Sequence, residues 1–160
     1  MGQQIDPRYG NNCIDAHVLD HIGSPEDAVV EEILRLAWEG AFLLVLPHSV
    51  KSEIEHPNTP REVKRRAQRL LFTEPVGLTP DELVLHRKVR SIVQGNAKPG
   101  KHERDAYHVV ESAKYGRYFI TNDQRILKKG PELAELLPQL RIVTPTEFLA
   151  IFRGYEAGTL

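Results

Sequence analysis

The alternation of short, continuous apolar runs with capped helical segments constrains this chain most. "FLLVL" (Phe42–Leu46), "RYFIT" (Arg117–Thr121) and "LRIVT" (Leu140–Thr144) are unbroken rather than alternating in polarity, the pattern of strands covered on both faces. A weaker run ends at "NNCID". Between the runs the chain has helix signals. "SPEDAVVEEILRLAWEG" offers Ser24 as cap, Pro25 at the first helical position and Gly40 as a stop. "TPREVKRRAQRLL" and "TPDELVLHRKVRSIVQG" repeat a capping device with Thr59 and Glu62, and with Thr79 and Glu82. On the first of these helices the lone Trp38 is expected in the core. Strands alternating with helices require βαβ units, so an α/β fold with a parallel sheet is expected.

At 160 residues, with no repeat or linker, one domain spanning 1–160 is expected. Balanced charge, 21 basic against 22 acidic residues, excludes a wholly basic nucleic-acid coat and leaves room for a local basic patch. The single cysteine, Cys13, excludes an intrachain disulfide and a multi-cysteine zinc site, and it fits a reducing, cytoplasmic setting. No apolar run reaches the roughly 20 residues of a membrane-spanning helix, so no membrane partner is expected. No nucleophile elbow is present, which argues against a serine hydrolase.

The acids are unusually placed for structure alone. Asp15 follows "NNCI" and Asp123 follows "YFITN", and ligands of open parallel sheets bind beyond the carboxyl ends of strands. "HSVKSEIEH" reads as a short helix carrying Glu53, with Glu55 as its alternative. Lys101 to Lys114 reads as a helix whose apolar stripe is Ala106, Val109, Val110 and Ala113, with Asp105 about 90° from its centre. Taken singly, Asp123 also fits a helix cap and Asp15 a turn. Jointly, four carboxylates converging on one crevice repel one another unless a cation intervenes. Oxygen-rich clusters of this kind suit Mg2+ or Mn2+, which can activate water against a phosphodiester.

"IDAHVL", "PHSVKSEI", "HERDAYHVVESA" and "FITND", followed by "LRIVTPTEFL", resemble the ordered blocks of PIN-domain nucleases over about residues 13–152. The resemblance implies a three-layer α/β/α sandwich and metal-dependent cleavage of RNA. Carried over by position, Asp15, Glu53, Asp105 and Asp123 match the metal-holding acidic quartet. Thr121 and Asn122 match the polar residues that orient a carboxylate or water. Ala16 and His17 stand where the family usually has a hydroxyl residue and then Asn, and Gln124 and Arg125 where many members have a further acid. A single small domain of this type resembles a toxin ribonuclease, implying an antitoxin-like inhibitory partner and a homodimer. His17, Lys98, Lys101 and Arg104 are candidate substrate contacts. Arg61, Arg65 and Arg69, at i, i+4 and i+8, read equally as a phosphate-binding stripe or a solvated helix face.

Overall fold

The computed structural model describes residues 5–20, 23–74, 77–98, 100 and 102–160. Among these residues five strands form one all-parallel sheet: β1 (Asn11–Ile14), β2 (Leu43–Leu46), β3 (Leu71–Phe72), β4 (Tyr118–Ile120) and β5 (Arg141–Val143). Their order is β3-β2-β1-β4-β5. The chain builds one half of the sheet outward from β1 and then returns to build the other half from β4. This reversal opens a crevice at the carboxyl ends of β1 and β4, where such sheets bind ligands.

Alternate strand residues feed two cores, which is why the runs read as continuously apolar. Ile14, Leu44, Leu46, Tyr118 and Ile120 face α1 (Asp27–Trp38) and α8 (Pro145–Glu156). α2 (Lys51–Glu55) and α3 (Arg61–Ala67) close the same core through Ile54, Val63 and Ala67. Cys13 and Phe119 point the other way, onto α4 (Pro80–Gln94), α5 (Glu103–Tyr115), α6 (Gln124–Lys128) and α7 (Gly130–Leu136). The expected α/β/α sandwich is therefore the observed one.

Gly116 makes the turn from α5 into β4 possible. A Cβ there would lie 2.9 Å from the Asn11 carbonyl oxygen and 3.0 Å from Cys13 Sγ, so only a residue without a side chain lets the helix end against β1. Burial pushes the Cys13 thiol up to about 12, so it is no nucleophile at neutral pH.

Three local readings are corrected. α1 begins at Asp27 rather than Pro25, with Ser24 ahead of it accepting the Asp27 N–H through its carbonyl. Thr59 does not cap α3; its hydroxyl donates instead to the Glu53 carbonyl, which ties α2 to the start of α3. Trp38 is 72% exposed rather than buried, with the Arg69 guanidinium over its ring. At about 100° per residue, Trp38 falls roughly 140° from the centre of the Val30, Ile33 and Leu36 face, so the helix turns it outward. The Thr79–Glu82 capping box forms as expected.

Candidate metal centre

Asp15 leaves the end of β1 and is 2% exposed. β4 runs beside β1, which brings Thr121 level with it, and Thr121 Oγ1 donates to Asp15 Oδ2 at 2.9 Å. The same hydroxyl oxygen accepts from the Asp123 N–H at 3.0 Å. Thr121 thus orients Asp15 and fixes the turn that carries Asp123. Asp15 Oδ1 is buried and has no hydrogen-bond partner among the described residues.

Glu53 arrives on α2, which follows β2 through a 3-10 turn at His48–Val50. His108 arrives on the second turn of α5. That helix runs antiparallel to the strands and so starts at their carboxyl ends. His108 Nε2 lies 3.0 Å from Glu53 Oε1, and Nδ1 lies 2.7 Å from Ser49 Oγ. Ser49 is itself held by its N–H donating to Glu111 Oε2 at 3.0 Å. One atom each of Asp15, Glu53 and His108 lie within 4.8 Å of one another, a group that could hold a metal ion.

The electrostatics agree with a cluster tuned to a cation. Burial pushes the Asp15 carboxyl up, against the pull of His108, His17 and the Thr121 hydroxyl. Burial opposes the charged forms of Glu53 and His108 as well. It is the largest single influence on each, but their mutual hydrogen bond and the charges around them together overcome it, lowering Glu53 and raising His108, which also feels Asp15 and Asp105. In this arrangement a proton on His108 supplies the positive charge. Ser49 Oγ can accept from Nδ1–H, the tautomer that leaves the Nε2 lone pair free to ligate an ion. The donor set, the orphaned buried oxygen and this orienting serine all fit an ion.

The other two acids of the expected quartet lie in a second arrangement. Asp105 is in the first turn of α5, and Asp123 caps α6 by accepting the Arg125 N–H at 2.9 Å. The Arg125 guanidinium sits between them, with Nη2 2.9 Å from Asp105 Oδ2 and 2.8 Å from Asp123 Oδ2. His102 Nδ1 lies 3.4 Å from Asp105 Oδ2, and the ring abuts Arg125. Glu53, Asp105 and Arg125 share the wall of a cleft of about 580 Å³ with Arg104 and Tyr107.

His17 is exposed and lines a smaller hollow with Glu53 and Asp20. Arg104 is exposed at the cleft, Lys98 is exposed in the turn after α4, and Lys101 lies outside the described residues. Asn122 borders a separate hollow with Ser24, Glu26 and Gln124, and its amide nitrogen is buried without a partner among the described residues. Two of the three arginines of α3 are engaged structurally: Arg65 pairs with Glu62 at 2.6 Å, and buried Arg66 joins Asp27, Glu31 and the Leu19 carbonyl.

His108 is the residue that sequence reasoning missed. The available signal was its i+3 spacing from Asp105 within "HERDAYHVVESA". Comparison with models of known families, with curated proteins and with solved structures gives no match. Among the described residues no helix is long and apolar enough to cross a membrane.

Proposed function

We propose that this chain is a divalent-metal-dependent endoribonuclease whose ion is held by Asp15, Glu53 and His108. The observation that carries this reading is the buried Asp15 Oδ1, unpartnered beside two further donors at the sheet's switch point. A buried carboxylate without compensation is strongly unfavourable, and a cation in the cluster would compensate it. One nitrogen and two carboxylates favour Mn2+ over Mg2+, which prefers an all-oxygen shell. A bound ion would supply a more acidic water and would neutralise charge developing on the phosphodiester.

The remaining parts are the chain's own. Thr121 holds Asp15 in one orientation, and Ser49 turns His108. Arg104 adds positive charge at the cleft, the usual source of affinity for a nucleic-acid backbone. The ordered resemblance to PIN-domain nucleases supports the same reading. It extends to a cytoplasmic toxin-like role, a homodimer and an antitoxin-like inhibitor.

The test is RNA cleavage with Mn2+ by the native chain and by Asp15→Asn. Native cleavage should vanish with chelator and in the variant. Equal rates in the two proteins would rule this centre out. One observation favours a second reading, a domain that binds RNA or a protein partner without cutting: Arg125 neutralises two of the four acids. RNA binding without cleavage at any Mn2+ concentration would favour it.

A further inference from the structure

We propose that Arg125 is a resident substitute for a second metal ion. On this reading Asp105 and Asp123 are neutralised by the chain itself, and the site takes a single divalent ion. The inference rests on the metal centre proposed above and adds the count of ions and the reason for it.

The two acids come from separate elements, α5 and the β4–α6 connection, and each directs an oxygen at the same guanidinium nitrogen, at 2.9 and 2.8 Å. The other Asp123 oxygen accepts the Arg125 backbone N–H at 2.9 Å. Asp123 is thus engaged by Arg125 at both oxygens, and the arginine is anchored by the cap of its own helix. The carboxylates contribute two negative charges and the guanidinium one positive. A divalent ion between them would therefore have to displace a cation or sit against it. The contrast with the first centre is direct. There Asp15 Oδ1 is buried and unpartnered, and no lysine or arginine is paired with Asp15 or Glu53 among the described residues. Arg125 is also half exposed on the cleft that Glu53 lines, with its other terminal nitrogen against the His102 ring, so the guanidinium is held from three sides.

The test counts Mn2+ bound by calorimetry and electron paramagnetic resonance in the native chain, Arg125→Gln, Arg125→Lys and Asp105→Asn. One ion is expected for the native chain, unchanged in Asp105→Asn and in Arg125→Lys, which keeps the charge. Arg125→Gln should gain a second ion, and Asp105→Asn added to it should remove that ion. An unchanged count in Arg125→Gln would overturn the inference. So would a native chain holding two ions, one of them lost in Asp105→Asn, a result that does not depend on the arginine variants folding. A different result would remove the metal centre itself: no native ion, or one that survives Asp15→Asn. The gain on Arg125→Gln is a difference and is read independently of it.

Discussion

His108 and Glu53 meet at 3.0 Å from positions 55 residues apart, joining α5 to α2 across the mouth of the crevice. As the only nitrogen donor of the cluster, His108 sets which ion is preferred. His108→Ala should weaken Mn2+ binding on the order of 10–100-fold, a range typical of lost support at metal sites, and should affect Mg2+ much less. Calorimetry with each ion separates the two. An equal loss for both would show that the histidine acts only through packing.

How far the sequence spoke depended on whether a side chain's partner was local. The Thr79–Glu82 box was legible because both partners lie within four residues. Thr59 offered the same signal, yet its hydroxyl was drawn to the Glu53 carbonyl by the packing of α2 on α3. The acids at strand ends were legible because a parallel sheet puts strand carboxyl ends together. His108 was not. On a helical wheel it falls roughly 150° from the apolar stripe of α5, and its burial comes from the Ser49–Glu53 segment covering the helix's other side. The Arg125 guanidinium lies between Asp105 and Asp123, and nothing in the local sequence signals that contact, because Asp105 is 20 residues away on another helix.

Thr121 is fully buried, and its hydroxyl serves Asp15 and the Asp123 N–H at once. Thr121→Val keeps the shape and removes the hydroxyl, leaving a buried carboxylate oxygen and an amide without partners. The expected loss is about 1–3 kcal/mol, read from urea denaturation midpoints. Thr121→Ser should retain most of the stability. A Thr121→Val chain as stable as the native one would show that the hydroxyl contributes nothing.

Arg66 and its neighbours on α3 should behave differently. The Arg66 side chain is 5% exposed and bonded to Asp27, Glu31 and the Leu19 carbonyl. Arg66→Ala should lower stability by about 2–3 kcal/mol through lost charge-assisted bonds and lost packing of its stem. Arg65 is half exposed and its pair with Glu62 is screened, so Arg65→Ala should leave the unfolding midpoint close to the native one. Thermal or urea unfolding of the two variants checks the contrast. If both also lost RNA affinity equally, α3 would regain its standing as a phosphate-binding face.

Glu82 links the capping box of α4 to α5. The Lys114 ammonium, 2.8 Å from Oε1, and the Thr79 N–H at 3.0 Å hold its carboxyl down to about 2 from an ordinary 4.5. In the unfolded chain the group takes up its proton near 4.5, whereas the folded chain keeps it ionised until about 2. The stability this contact contributes is therefore complete above about 4.5 and drains as pH falls from there to about 2. Native and Glu82→Gln chains should differ most near neutrality, and the gap should narrow through that window. Added salt should narrow it at every pH, because the pair lies near the surface. Urea denaturation from pH 7 to pH 2 measures the gap directly. A gap that stayed constant with pH would mean the glutamate acts through its shape and neutral hydrogen bonds, with no contribution from its charge.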